Sequence, residues 1–105
     1  MIIVLSAYPD RKSAEKSASE IVEKKLAACV SMIAIDRSFY RWKGKVEKHP
    51  EYLLLIKTTK KAYARLERQI KKTHPHHVPE IIFIEVKGGQ KDYLEWVRKS
   101  TIPGF

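Results

Sequence analysis

The strongest constraint in this sequence is the order in which short β-rich apolar runs alternate with amphipathic stretches. Residues Ile2 to Tyr8 form an apolar run that opens with β-branched side chains and is broken by Pro9-Asp10, which fits a buried strand. Asp10 is placed to cap a helix in which Ala14, Ala18, Ile21, Val22 and Leu26 recur at three- and four-residue spacing among charged residues, the pattern of a helix lying on a sheet. Ala27 to Ile35 is a second strand-like run. Beyond Asp36-Arg37, Ser38 to Val46 carries Tyr40 and Trp42 two residues apart and then Gly44. His49-Pro50 is expected to turn the chain into a third strand, Tyr52 to Lys57, giving a long antiparallel hairpin bent at Gly44 or at Asp36-Arg37. Thr58 or Thr59 is expected to cap a second helix, with a stripe of Ala62 or Tyr63, Leu66 and Ile70 and lysines at its end. A fourth strand, Ile81 to Val86, a turn at Gly88-Gly89 and a short helix through Tyr93, Leu94 and Val97 complete the chain before Pro103.

The order β-α-β-β-α-β plus a terminal helix predicts an α+β, ferredoxin-like sandwich, an antiparallel four-stranded sheet with two helices on one face. The 105 residues fit one domain spanning 1–105,. Ile3, Leu5, Val30, Met32, Leu53, Leu55, Ile82 and Ile84 make the strands near-continuously apolar, so both sheet faces need cover. The face without helices is expected to pack on other subunits, making the protein an obligate oligomer.

Several function classes are excluded. The apolar runs are a handful of residues long, against the roughly 20 of a membrane helix. Met1 leads straight into Ile2-Ile3-Val4-Leu5 without a basic leader, so a cytoplasmic protein is expected. The lone cysteine, Cys29, allows no internal disulfide and fits a reducing compartment,. A net charge of +9 is spread along the chain, which suits solvated helix faces and attracts anions non-specifically. The fourth strand lacks the basic and aromatic alternation that stacks bases, so sequence-specific nucleic-acid binding is not expected. No phosphate-cradling glycine loop, H-E-x-x-H, CxxC or G-x-S-x-G is present,.

Chemistry concentrates in two stretches. Thr73 to Glu80 reads Thr-His-Pro-His-His-Val-Pro-Glu, with three of the four histidines, His74, His76 and His77, on a backbone stiffened by two prolines,. Such imidazoles either end a helix in solvent or contribute to a metal site. The second stretch, Tyr40 to Lys57, offers Tyr40 and Trp42 for packing or an interface, and Lys57 at a strand end for solvent or an anionic group. Cys29 is either a small buried hydrophobe or, with His74, a donor for a soft ion such as Cu or Zn. Any such site must be completed across the fold or across subunits, because four closely spaced ligands are missing.

Together these blocks resemble the CutA divalent-cation tolerance family over nearly the whole length. The resemblance rests on Ala27-Ala28-Cys29-Val30, Ser38 through Glu47, Glu51 with Ile56-Lys57-Thr58, His74-Pro75 with Pro79-Glu80-Ile81-Ile82, and Tyr93-Leu94-Glu95-Trp96. It implies a ferredoxin-like subunit in a tight homotrimer similar in plan to PII signalling proteins, non-enzymatic, with Cu(II) or another divalent cation as its ligand. On this resemblance Cys29 and His74 are the metal contacts, and Tyr40, Trp42, Glu51 and Lys57 line a cleft between subunits. The chain departs from the family pattern at Ser31, where asparagine is usual, and at His76, where tyrosine is usual. The second change exchanges a phenol for an imidazole and adds His76 to the metal candidates. Two other functions fit the same architecture: a PII-like trimer binding a small anionic metabolite in the cleft, and a trimeric interaction scaffold.

Overall fold

The computed structural model describes residues 1–103. The expected unit 1–105 therefore includes two residues, 104 and 105, that lie outside the described residues. The elements in order are β1 (Ile2–Tyr8), α1 (Arg11–Glu23), β2 (Cys29–Trp42), β3 (Lys45–Thr58), α2 (Tyr63–Thr73), β4 (Ile82–Glu85) and α3 (Lys91–Lys99). The strands form one sheet in the order β2-β3-β1-β4, and every neighbouring pair is antiparallel. This is the ferredoxin-like arrangement expected from the element order. No helix among the described residues is long and apolar enough to cross a membrane.

Local chemistry sets the helix ends. Asp10 is extended and its side chain accepts from the Ser13 N–H at 2.7 Å, the expected N-cap of α1,. The helix stops earlier than its apolar stripe, because Lys25 takes a left-handed φ of 58°. Its N–H bonds to the Val22 carbonyl, and the Leu26 N–H reaches back to Ile21, both at 3.0 Å. This is a Schellman closure, and its hydrophobic contact comes from the buried pair Ile21 and Leu26,. Leu26 thus lies three residues past Glu23, outside the helix, and is not part of its stripe.

The cap of the second helix also differs from expectation. Thr58 is fully buried and donates its hydroxyl to the Leu26 carbonyl at 2.7 Å. Thr59 instead accepts from the Ala62 N–H at 3.2 Å, in the turn that leads into α2. At the C-terminus, Gln90 caps α3 by accepting from the Tyr93 N–H at 2.7 Å.

The hairpin turns at a different place from the sequence expectation. The chain reverses at Lys43 and Gly44, both with positive φ (49° and 77°), the dihedrals that match the twist of a two-residue hairpin turn. His49 and Pro50 lie inside β3. Pro50 lacks an N–H and would end a regular ladder, but here it faces a bulge. Ile35 pairs with Glu51 and Ser38 with His49, so Asp36 and Arg37 both stand opposite Pro50,. Asp36-Arg37 is one of the two bend positions the sequence offers; the other, Gly44, lies in the turn itself. Each arm of the hairpin has 14 residues, about 46 Å of strand at ~3.3 Å per residue, which accounts for the molecule's longest dimension of 45 Å.

Register fixes the two faces of the sheet. Ile2, Val4 and Tyr8 of β1 with Leu54 and Ile56 of β3 point at the helices and are fully buried with Ile21, Leu66 and Ile70. Val30 and Met32 pair with Ile56 and Leu54 and share that face. Ile3 and Leu5 pair with Lys57 and Leu55 on one side and with Ile84 and Ile82 on the other, forming the opposite face. Among the described residues neither α1 nor α2 covers this second face, and Ile82 and Ile84 are exposed. Ile56→Ala should lower the unfolding free energy by about 2–5 kcal/mol in a denaturant titration at fixed protein concentration. Val22→Ala, on the exposed side of α1, should change it by less than about 0.5 kcal/mol.

Candidate functional site

The sheet face opposite α1 and α2 gathers most of the sequence's functional candidates. Residues directly opposite in an antiparallel pair share a face, and faces alternate along a strand. Cys29 is the cross-strand partner of Lys57, so both lie with Leu53, Leu55 and Glu51 on the open side. Tyr40 and Trp42 follow the bulge. Asp36 and Arg37 add one residue to β2 without adding one to β3, which reverses the parity of β2. Tyr40 therefore faces Glu47, and Trp42 faces Lys45, on the same side as Glu51 and Lys57. Without the extra residue these aromatics would point to the other side of the arm.

The arm is bare. Phe39 is 67% exposed, Val46 65% and Trp42 57%. Tyr40 sits 6.0 Å from the His49 ring, and His49 hydrogen-bonds Glu47 at 3.1 Å. Lys57 is held from α3. Its ammonium lies 5.6 Å from the Tyr93 ring centroid, and hydrogen bonding to the Tyr93 phenol raises its pKa above the ordinary lysine value. Tyr93 had no assigned role in the sequence. Only the return of α3 to β3 places it beside Lys57, and no spacing rule connects residues so far apart.

His74 occupies different surroundings. It is the C-cap of α2 and is buried, with 8% exposure. Its ring stacks on Tyr8 at 4.3 Å between centroids, and the Tyr8 phenol meets Ser17 of α1 at 2.7 Å. His74 therefore belongs to the helix layer, away from the Cys29 face. The Ala7 carbonyl can only accept and the His76 N–H can only donate. Nε2 consequently carries the proton and donates to Ala7 at 2.7 Å, while Nδ1 accepts from His76 at 3.0 Å,. Both ring nitrogens are engaged within the subunit. Burial lowers the His74 pKa below its ordinary value, the Ala7 hydrogen bond opposes this, His76 adds to the lowering, and Glu51 opposes it.

Cys29 and His74 are not brought together in one subunit. Cys29 lies at the Lys57–Ile3 level of the sheet and His74 at Ala7, a separation along β1 of about 13 Å. His76 is exposed, with its ring 5.1 Å from that of His74, and His77 is exposed beyond it. Glu80 sits near Glu51; burial and then the Glu51 charge raise its pKa. Among the described residues no three His, Cys, Asp or Glu side chains converge as a metal site. The described residues thus offer a divalent ion single donors but no three that converge on it.

The His74 arrangement gives a signed pH dependence. The group's folded pKa is depressed, so its contribution to stability is complete above its unfolded value of about 6.5 and is lost as pH falls through the lower folded value. The melting temperature should fall between pH 7.5 and 5. His74→Phe, which keeps the stack on Tyr8 but loses both hydrogen bonds, should cost about 1–3 kcal/mol at pH 7.5 and flatten that part of the profile. An unchanged slope in this variant would assign the dependence to another group.

Comparison with known proteins agrees with this geometry. Residues 2–100 match the family described as CutA1 divalent ion tolerance protein. The "Divalent-cation tolerance protein CutA" of Thermus thermophilus is 40% identical over 99 residues, covering 94% of this chain and 96% of the relative. Its solved structure superposes with a TM-score of 0.92 over 96% of this chain and 99% of that one. "Protein CutA, chloroplastic" of Arabidopsis thaliana is 40% identical over 100 residues, 95% of this chain but only 55% of that longer protein. A structure described as the "PII-like protein CutA" of Nostoc is 31% identical with a TM-score of 0.92, covering 98% of this chain and 99% of that one. The chain belongs to the CutA1 divalent ion tolerance family.

Proposed function

We propose that this chain is the subunit of a non-enzymatic homotrimer that binds divalent cations, of which Cu(II) is the leading candidate, and serves in metal-ion tolerance. The observation that carries the assembly is the apolar sheet face left uncovered by α1 and α2, continued by Tyr40 and Trp42 onto a bare hairpin arm. Aromatic side chains exposed in this way contribute strongly to interfaces once water is excluded. In a trimer the cleft lined by Tyr40, Trp42, Glu51 and Lys57 would be closed by a neighbouring subunit. The cytoplasm is the proposed compartment, since the single free cysteine suits a reducing environment,.

The ion in this reading is cargo, and thiolate and imidazole are donors suited to copper. Cys29 supplies the sulfur. His74 was the expected imidazole, but both its nitrogens are engaged, so we assign the imidazole contact to the exposed His76 and give His74 the role of fixing the His76 backbone. Because Cys29 and His76 lie in different layers of the subunit, an ion held by both bridges subunits. Lys57 favours a second reading, in which a small anionic metabolite binds the same cleft as in a PII-like signalling protein. An assembly that binds neither class would act as a scaffold.

Light scattering should give a trimer, and Trp42→Glu should shift it towards smaller species. A wild-type monomer would overturn the assembly. Calorimetry should show saturable Cu(II) binding that weakens about tenfold or more in Cys29→Ser and in His76→Ala. Unchanged binding in both variants would sink the donor assignment. A melting-temperature rise with organic anions but not with Cu(II) would favour the metabolite reading.

A further inference from the structure

The charge of +9 leaves a concentration of cations that neither the open sheet face nor the histidine connector uses. It lies on the opposite side of the molecule, in a cleft of about 860 Å³ between the C-terminal end of α1 and the outer side of α2. Lys24 stands on one wall, and Arg65, Arg68, Lys71 and Lys72 line the other. None of the lining residues is acidic or aromatic.

Helix-dipole pairing explains only part of this. Lysines favour the last turn of a helix, which accounts for Lys71 and Lys72 in α2 and Lys24 at the end of α1. It does not account for Arg65, in the first turn of α2 where positive charge opposes the dipole, or for Arg68 at mid-helix, where the dipole favours neither sign,. Arg65, Arg68 and Lys72 follow one another at three- and four-residue spacing, so they form a single stripe along the helix,.

The cleft is also preorganised. Gln69, almost fully buried, accepts from the Lys24 ammonium at 3.0 Å and donates to Glu20 at 3.0 Å. This amide relay fixes Lys24 across from the arginines, where a free lysine would sample solvent. The nearest carboxylates are already used: Glu20 receives the Gln69 amide, and Glu67 lies 3.7 Å from Lys71 and accepts from the Tyr63 phenol.

We infer that the α1–α2 cleft is a binding site for a compact polyanion of contiguous phosphates, with Lys24, Arg68 and Lys72 as its principal contacts. Arginine and lysine converging from two walls suit a dense charge such as a triphosphate. The absence of aromatic side chains removes the stacking platform that single-stranded nucleic acids use, so the phosphates themselves are recognised. Inorganic polyphosphate and nucleoside triphosphates share this chemistry. The site lies on the helix layer and does not depend on the open-face assembly.

Calorimetry on the full chain with sodium tripolyphosphate, ATP and AMP tests this. Tripolyphosphate should bind saturably, and Arg68→Gln/Lys72→Gln should weaken it by about tenfold to a hundredfold, with an unchanged circular dichroism spectrum. Lys12→Gln/Lys16→Gln, which removes the same charge from α1 outside the cleft, should leave binding within about twofold of wild type. Equal affinity for tripolyphosphate and ATP, with AMP far weaker, identifies a phosphate reader; a marked preference for ATP assigns the nucleotide as the source. Equal losses in the two double variants, or no binding of tripolyphosphate at low salt, overturn the site. Tighter binding of a single-stranded RNA than of tripolyphosphate also overturns it, in favour of a nucleic-acid surface.

Discussion

A four-stranded sheet that is apolar on both faces but carries α1 and α2 on only one controls this molecule. The covered face works as an ordinary small-domain core. Ile2, Val4, Leu54 and Ile56 meet Ile21, Leu66 and Ile70, and most polar groups drawn in with them are paired, the buried Ser6 hydroxyl being the exception among the described residues. Tyr8 meets Ser17, and Thr58 bonds Leu26. The Thr58 bond ties the end of β3 to the segment leaving α1, so the core side closes without a disulfide. The other face has the same apolar character and no layer of its own. For a chain of this size, cover from further copies is the economical solution.

The hairpin extends that uncovered face beyond the body of the fold. Two local devices decide its geometry: a two-residue turn that demands positive φ at Lys43 and Gly44, and a bulge that places two residues opposite Pro50. The turn sets the arm's length. The bulge selects the side on which Tyr40 and Trp42 emerge, because an added residue reverses the alternation of every later side chain in that strand. Pro50, which signals a chain reversal when considered locally, is compatible with the strand because its missing N–H faces the irregularity.

Charge and chemistry separate along the same division. Cys29, Lys57, Glu51, Tyr40 and Trp42 occupy the open face, while His74 is committed to the helix layer by Ala7, His76 and Tyr8. His74 therefore joins α2 to β1 mechanically, and its sequence neighbour His76 takes the exposed position. A concentration of cations with no acidic residue in its lining lies on the outside of the helices. An assembly built on the open face would leave it in contact with solvent.

The sequence by itself determined the element order, Ala14 and Ile21 on the buried side of the first helix, the Asp10 cap and the surplus of apolar strand surface, because these are properties of local spacing and residue type. The candidate donors and cleft residues were also legible as chemical types. Their partners were not. Tyr93 reaches Lys57, Lys24 meets Gln69, and His74 donates to Ala7 across separations of 36, 45 and 67 residues, and no local pattern encodes such pairings. The hairpin turn was misplaced because His49-Pro50 is a stronger local signal than Lys43-Gly44, and only the pairing of the two arms reveals a bulge that accommodates the proline. Cys29 and His74 were natural partners by donor chemistry. The alternation of the sheet and the docking of α2 put them in different layers, a decision made by packing rather than by sequence.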